Sequence, residues 1–291
     1  MKKYTSLGEL LTDYRKINNI SQTDFAANLN VDTRTVQRWE KNITLVKPEK
    51  EDILAQETLL PHQLIRNLNS FRVISTYYDF GIRKYSLNKL SNELPDASWF
   101  KERIEITTDR IRKINFEEDI EYIMRYMQFQ KQPSSIINSR LVREAIKFLP
   151  ELNLIITDDS GYYSGHSIIL PLKFETYKKL KNREITEDQL SVGDLVSYTS
   201  QEKPVFHEYN VTADCNDDIY YIVASVFKFF RNVRADNYIY SALSTRYDSA
   251  KLNKQLGMKI IWEDEEVREK KNIRRSLRFV EGNFKDFLSD L

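Results

Sequence analysis

The chain has 291 residues, 41% of them hydrophobic and 30% charged, so it has enough apolar side chains for two packed domains. Its formal net charge of +1 excludes a broad basic surface that would bind any nucleic acid through charge alone. Cys215 is the single cysteine and no apolar run is long enough to span a membrane, so we expect a soluble, cytoplasmic protein without a disulfide framework.

Two helices are predicted at the start of the chain. Over Ser6–Asn18, apolar side chains recur at spacings of three and four, which is typical of a helix with one buried face. Ser21 then occupies the N-cap position of a second helix, because serine side chains accept hydrogen bonds from the first free backbone N–H groups. Phe25, Ala26 and Leu29 give this second helix an apolar face, and Ala26 is small enough for another helix to cross closely.

A tight bend and a third helix follow. Asn30 tolerates the left-handed backbone conformation that ends a helix, and Asp32 or Thr33 is expected to cap the next one. Val36 and Trp39 are expected to point inward. The side chains left facing outward are Thr33, Arg34, Gln37 and Arg38. Arginine, glutamine and threonine at the start of a short helix are side chains that read base edges in the major groove of DNA.

This segment, SQTDFAANLNVDTRTVQRWEKN, resembles the Cro/repressor-type helix-turn-helix domain, also called the XRE family. The matching features are the Ser21-Gln22 pair, the small Ala26 four residues after the glutamine, and Trp39-Glu40 at the end of the third helix. The resemblance implies that Gln22 contacts the DNA backbone. The full set of DNA-contacting residues that it implies is Gln22, Thr33, Arg34, Thr35, Gln37 and Arg38.

The same resemblance implies an ion pair between Glu40 and Arg15 on the first helix. Such a pair would be structural, because breaking one side leaves a partly buried charge without its partner. Asn42 stands where the family commonly has glycine, and asparagine also tolerates that geometry. The alternative is that these helices form an ordinary hairpin within a larger bundle.

Two further helices are predicted from prolines. Pro48 and Pro61 each mark a start, because proline is favoured at the first position of a helix. Residues 1–69 therefore predict an all-α bundle of five helices. His62 lies beside the last start without neighbouring histidine or cysteine, so we interpret it as a structural or surface residue and expect no metal site.

Residues 70–102 are predicted to be a connector, because they mix aromatic, basic and helix-breaking residues without a sustained period. Aromatic residues are too frequent for a free linker, so we expect the segment to pack on one domain or on a second subunit. A final segment, residues 267–291, is predicted to be a helical tail, with Val267, Ile273 and Leu277 partly on one stripe.

Residues 103–266 predict an α/β domain. Isoleucines between Ile104 and Ile114 suggest strand structure, and helices are predicted in EEDIEYIMRYMQFQKQ, SRLVREAIKFLP and KFETYKKLKNREITEDQL. LNLIITDDSGYYSGHSIILPL predicts a hairpin with an Asp-Asp-Ser-Gly turn. PVFHEYNVTADC, DNYIYSALST and MKIIWEDE predict strands, separated by a long apolar helix and a shorter helix ending at Gly257. This order indicates a mixed, partly antiparallel sheet.

The order of these elements resembles the GNAT acyltransferase fold. Four stretches carry the resemblance: ITDDSGYYSGHSIILPL, ETYKKLKNREITEDQL, VFHEYNVTADCNDDIYYIVASVFKFF and YDSAKLNKQLGMKII. Working members of that family hold the pyrophosphate of acetyl-coenzyme A with backbone N–H groups of a glycine-rich loop. Here the corresponding segment, residues 214–218, has no glycine and three acids, which would repel an anionic pyrophosphate.

The family's general-acid tyrosine also has no match. Asn253 stands at the position where the family has this tyrosine, and Tyr247 lies about a turn and a half of helix from that position. Glu208 has the chemistry of a general base, although a polar strand residue is the simpler reading. Cys215 is interpreted as a buried thiol, since no histidine follows at a motif distance.

The resemblance implies a GNAT-like domain, and these departures from the family pattern favour one that has lost acetyl transfer and binds no cofactor. Such a domain would act as a ligand sensor or as a dimerisation and partner-binding module. A cleft where the sheet splays open would suit a small-molecule effector, and a protein effector is the other candidate. The aromatic residues considered for the lining, with packing as the alternative role, are Tyr162, Tyr163, His166, Tyr220, Tyr221 and Trp262. Together these features predict a transcriptional regulator that binds double-stranded DNA in a sequence-specific way as a homodimer, with no membrane partner. The alternative is a DNA-binding N-acetyltransferase that uses acetyl-coenzyme A.

Overall fold

The computed structural model describes residues 1–88, 94, 96–130, 138–233, 238–244, 249–264 and 277–289. The chain divides into two compact units. The first unit comprises Met1–Asn92, Asp158–Ser164 and Asp214–Asn216. The second unit comprises Glu93–Thr157, Gly165–Ala213 and Asp217–Leu291.

The first unit contains helices and a small sheet. Its elements are β1 (Lys2–Tyr4), α1 (Leu7–Ile17), α2 (Gln22–Asn28), α3 (Thr33–Glu40), α4 (Pro48–Thr58), α5 (His62–Leu68), β2 (Thr76–Asp79) and β3 (Lys84–Ser86). The five helices begin close to the predicted positions. The all-α prediction for residues 1–69 is wrong, because β1 pairs antiparallel with β2.

Side chains local to each start explain where the first three helices begin. The hydroxyl of Ser6 accepts a hydrogen bond from the Glu9 N–H at 3.3 Å, and that of Ser21 accepts one from the Asp24 N–H at 3.1 Å. Asp32 does the same for Thr35 at 2.6 Å. The bend between α2 and α3 uses the predicted left-handed residue, since Asn30 has a φ of 50°.

One apolar core lies between these helices. Leu10, Leu11, Val36 and Leu64 are completely buried in it, and Trp39 is nearly so. The predicted connector contributes to the same core, because Tyr78 on β2 is 1% exposed and packs within the cluster. The predicted connector thus includes β2 and β3 at one end, while residues 89–93 and 95 lie outside the described part of the chain.

The second unit is built on a mixed sheet of seven strands in the order β4-β5-β6-β7-β8-β10-β9. Its strands are β4 (Ile111–Lys113), β5 (Leu154–Thr157), β6 (Tyr163–Leu172), β7 (Val205–Ala213), β8 (Tyr240–Ser244), β9 (Lys259–Asp264) and β10 (Leu277–Gly282). Its helices are α6 (Ala97–Arg103), α7 (Glu117–Gln130), α8 (Ser139–Phe148), α9 (Phe174–Lys181), α10 (Asn216–Asn232), α11 (Ser249–Gln255) and α12 (Lys285–Ser289).

Among the strand pairs of the described residues, β7 and β8 form the parallel one. β7 and β8 run parallel over three residue pairs, ending at Glu208 and Ala242, whereas β6–β7, β8–β10 and β9–β10 are antiparallel. Because β8 leaves β7 after Glu208, the remainder of β7 has β6 as its paired neighbour. The predicted mixed, partly antiparallel sheet is therefore confirmed.

Three local predictions for this half of the chain are wrong. Residues 277–282 form the strand β10 between β8 and β9, where a helical tail was predicted; Val267 and Ile273 lie outside the described residues. Ile104 ends α6 and Ile106 is 49% exposed, so the strand in this region is confined to β4. The helix predicted through residues 173–190 stops at Lys181.

None of the helices in the described residues has both the length and the apolar character needed to cross a membrane.

Candidate functional site

Helix α3 presents a polar face opposite a buried apolar one. Arg34, Gln37 and Arg38 are exposed, and their spacing of three and four places them on the same side of the helix. Val36 and Trp39 on the opposite side are 0% and 6% exposed. The apolar side fixes which way the helix faces, because rotating it would expose both of these side chains.

The two threonines of the predicted DNA-contacting set have different positions. Thr33 starts α3 and is half-buried. The Thr35 hydroxyl donates to Asp32 at 3.1 Å, and its backbone N–H donates to the same carboxylate. The Thr35 backbone hydrogen bond is the main reason that the pKa of Asp32 is lowered. Thr35 is therefore part of the helix cap in this structure.

A hydrogen-bond network connects three helices behind this face. Arg15 on α1 donates to Glu40 through Nε at 2.5 Å and through Nη2 at 3.1 Å, so the expected pair is present. A third hydrogen bond to Glu40 comes from Gln22 on α2 at 2.6 Å. Gln37 in turn donates to the Gln22 side-chain oxygen at 3.3 Å. Gln22 is thus held between the network and the exposed face of α3.

The end of α3 also packs closely on α1. Asn42 has the left-handed conformation expected there, with a φ of 54°. Its side-chain oxygen accepts a hydrogen bond from the Gly8 N–H at 3.1 Å. Asn42 therefore adopts the left-handed backbone conformation that glycine adopts easily, and its side chain adds a hydrogen bond that glycine cannot make.

The segment between β7 and α10 is where the GNAT resemblance places a phosphate-binding loop. Asp214 is buried, its N–H donates to the Ser164 carbonyl at 2.7 Å, and its carbonyl accepts from the Tyr85 N–H at 2.8 Å. The Asp214 N–H is thus already used within the protein. In the second unit, Asp218 is buried and pairs with Arg110 at 2.9 Å.

Glu208 lies at the end of the parallel pairing between β7 and β8. The Tyr240 hydroxyl donates to its carboxylate at 2.7 Å, and burial raises the pKa of Glu208 above its ordinary value. A carboxyl group of this kind has the chemistry of a general base. Asn253, which aligns with the family's general acid, has no proton to give at neutral pH, and Tyr247 lies outside the described residues.

Sequence reasoning missed a constellation of serine, histidine and acid in the second unit. His207 Nδ1 is 2.9 Å from the Ser241 hydroxyl, and His207 Nε2 is 3.0 Å from a Glu187 carboxylate oxygen. His207 and Ser241 are both 0% exposed, so substrate has no route to the hydroxyl. This group links three chain segments in the core. No local motif signals it, because its members come from separate elements.

The predicted aromatic cluster is not assembled as one pocket. Tyr162 stacks on His62 in the first unit at 3.5 Å between ring centroids, which gives His62 a structural position. His166 is completely buried beside Asn210, and Trp262 stacks on Phe279. Tyr220 and Tyr221 do line a common cavity. Among the described residues, no group of three or more potential ligands is placed to hold a metal ion.

Three comparisons set this chain beside known proteins. No protein-family model matches the chain, and no curated protein matches it. Among solved structures, the chain is similar to an arylalkylamine N-acetyltransferase like 5b from mosquito, at 11% identity and a TM-score of 0.35. That similarity covers 59% of this chain and 98% of the other.

Proposed function

We propose that this protein is a transcriptional regulator that binds double-stranded DNA in a sequence-specific way, as a homodimer on a two-fold operator. The observation that supports this best is the exposed row on α3, Arg34, Gln37 and Arg38, on a helix whose other side is fixed in the core. Arginine forms two parallel hydrogen bonds with guanine, and glutamine does so with adenine. A short helix carrying both side chains is suited to the major groove.

The network around Glu40 supports the same proposal. Base recognition requires side chains held at fixed positions, and Gln22 is fixed by Glu40 on one side and Gln37 on the other. Gln22 and Gln37 belong to different helices, so this arrangement ties a backbone-contacting residue to a base-contacting one. Because the net charge of the chain is only +1, we infer that its affinity for DNA comes from a few local phosphate contacts.

For the second unit we propose a GNAT-like domain that does not transfer acetyl groups and acts as a sensor or as an interaction and dimerisation module. The segment at Asp214 lacks glycine, and the N–H of Asp214 is bonded to Ser164. A pyrophosphate there would also meet the negative charge of the buried Asp214 itself. Like charges a few ångströms apart near a partly buried site repel by several kcal/mol, about 4 kcal/mol at 4 Å.

The test of the DNA-binding proposal begins with selection of bound sites from random duplexes by the full-length protein. Arg34→Ala and Arg38→Ala are then titrated against the selected site and against single-base variants of it. Each substitution should cost about 1–3 kcal/mol, or roughly 5- to 150-fold in affinity, and should relax preference at one base pair. Arg140→Ala, an exposed arginine on α8, is the matched control and should bind as wild type does.

Wild-type affinity in both α3 variants would show that this helix does not read DNA. Calorimetry with acetyl-coenzyme A tests the second unit separately. Binding at micromolar concentration would overturn the view that it lacks acetyl transfer and would favour the alternative, a DNA-binding N-acetyltransferase. Light scattering with and without the selected duplex gives the number of protomers on DNA.

A further inference from the structure

A cavity of about 240 Å³ lies within the second unit, between α6 with the residues that follow it and the first half of α10. Helix α10 contributes Asp217, Tyr220, Tyr221 and Ala224 to its lining. These positions are spaced by three and four, so they form one face of the helix. Ala224 is small, which leaves space between the helix and the opposite wall.

Aromatic rings form the walls of this cavity. The Trp99 ring lies 4.2 Å from the Tyr220 ring, centroid to centroid. Phe100 packs edge-on against both Tyr220 and Phe227, at 5.8 and 5.4 Å. Phe100 is 1% exposed within the main apolar core, so the core fixes the position of this wall before any ligand binds. Walls of this kind favour a flat aromatic ligand.

Arg110 also lines the cavity, and its guanidinium already has hydrogen-bond partners within the protein. Its Nη1 donates to the Thr157 carbonyl at 2.7 Å and to Asp218 at 2.9 Å. Its guanidinium also lies 5.6 Å from the centre of the Tyr221 ring. Because Asp218 compensates its charge, Arg110 is a fixed part of the wall.

Arg103 pairs with an exposed carboxylate, whereas the carboxylate that pairs with Arg110 is buried. Its guanidinium lies 4.6 Å from the Trp99 ring centre, over the wall itself. Its carboxylate neighbour is Glu102, the adjacent residue, whose side chain is 69% exposed. An ion pair with so exposed a side chain contributes little and is easily exchanged. The stacked guanidinium directs its N–H donors along its own plane, where they suit a carboxylate.

The one acid in the lining has a local explanation. Asp217 is exposed in the first turn of α10, where a negative charge is stabilised by the N-terminus of the helix. Asp217 therefore stays negatively charged and exposed to water, and the positive charge that the cavity offers to a ligand is that of Arg103.

We propose that this cavity binds a small planar aromatic carboxylate, with its ring against Trp99 and Tyr220 and its carboxylate on the guanidinium of Arg103. A volume of about 240 Å³ fits one or two fused rings. This proposal gives the second unit a ligand class, and its failure is separable from that of DNA binding, because all of the lining residues belong to the second unit.

The test uses calorimetry on the full-length protein with three probes. Indole-3-acetate is the planar carboxylate, tryptamine has the same ring with a positive charge, and cyclohexanecarboxylate has the charge without the aromatic ring. We expect indole-3-acetate to bind with a Kd of about 0.1–1 mM, as its size allows. The other two probes should bind at least about tenfold more weakly, because each lacks one of the two matching features.

A second arginine stacked on a tryptophan supplies a matched control outside the cavity. Arg183 lies 4.1 Å from the ring centre of Trp262, and neither residue lines the cavity. Arg103→Gln should weaken indole-3-acetate binding at least about tenfold, since it removes a charged hydrogen-bond pair. Arg183→Gln should leave it unchanged. Trp99→Leu should also weaken binding, with Trp262→Leu as its control and thermal melting as the check on folding.

Two results would overturn the proposal. One is indole-3-acetate binding that is absent from the wild type or equal in Arg103→Gln and wild type. The other is preferential binding of tryptamine that is lost in Asp217→Asn, which would assign the cavity to amines.

Discussion

Replacing Glu40 tests whether the charged network behind α3 holds the first unit together. Glu40→Ala removes the acceptor of two hydrogen bonds from Arg15 and one from Gln22. The side chains of Glu40 and Arg15 are only 7% and 14% exposed, so water cannot fully replace the lost carboxylate. Breaking a buried ion pair on one side costs about 3–5 kcal/mol.

The lower end of that range applies here for a structural reason. Arg15 keeps one hydrogen bond after the substitution, from Nη1 to the Ile20 carbonyl at 2.8 Å, and retains some contact with water. We therefore expect Glu40→Ala to lower the free energy of unfolding by about 3 kcal/mol. For a unit of this size, with a urea m-value of about 1–1.5 kcal/mol per molar, the midpoint falls by about 2–3 M.

The assay needs a signal that comes from the first unit alone. The chain has three tryptophans, and Trp39 lies in the core beside the network, 6% exposed. In a Trp99→Phe, Trp262→Phe background, fluorescence reports the environment of Trp39 during urea unfolding. Glu40→Ala, Arg15→Ala and the double variant then form a thermodynamic cycle, with an expected coupling energy of about 2 kcal/mol.

A loss below about 0.5 kcal/mol in Glu40→Ala, the range of an ordinary surface substitution, would show that the network does not stabilise the first unit. A coupling energy near zero would be equally damaging, because the two side chains would then contribute independently. In either case the short distances between Arg15 and Glu40 would carry no stability, and the fixed orientation of Gln22 would need another cause.

Two further stability predictions follow from buried positions. Gly8→Ala should destabilise the first unit by about 1–2 kcal/mol. Alanine favours helices by about 1 kcal/mol over glycine, but the cost of overpacking against rigid backbone is larger than this gain. The added Cβ would lie 2.4 Å from the Trp39 carbonyl oxygen. Gly193→Ala is the control, because its Cβ would meet only Ser191 Oγ at 3.6 Å. In urea unfolding, the midpoint should therefore fall in Gly8→Ala and not in Gly193→Ala. Burial lowers the pKa of His166 to about 4, so as pH falls this side chain is protonated in the unfolded chain before it is protonated in the folded one. Stability from this residue is then lost between about pH 6.5 and pH 4, in total about 3 kcal/mol, and urea midpoints across this window should vary less in His166→Gln than in the wild type.

Much of the first unit follows from short-range sequence signals. The caps at Ser6, Ser21 and Asp32 each bind a backbone N–H three residues on, so the information lies within one turn of helix. Pro48 acts in the same local way. Periodic apolar residues also identified the buried faces of α2 and α3. The exposed row on α3 was predictable because a helix with one buried face leaves a known opposite face.

The sites of the second unit depend on contacts between distant residues. The cavity joins Trp99 and Arg103 to Tyr220, more than a hundred residues apart, and its aromatic members were partly misassigned from the sequence. Likewise, Ser241 and Glu187 meet through His207 across three elements. Sequence spacing does not encode such neighbours, because the packing of separate helices and strands brings them together.

The sequence by itself thus determined the positions and exposed faces of the first helices, since capping and helical periodicity act over three or four residues. Only the tertiary structure decided that residues 2–4 and 277–282 are strands. β1 has its partner in β2, more than seventy residues further on, and β10 lies between β8 and β9. A short strand acquires its hydrogen bonds from another part of the chain, so its own residues cannot specify it.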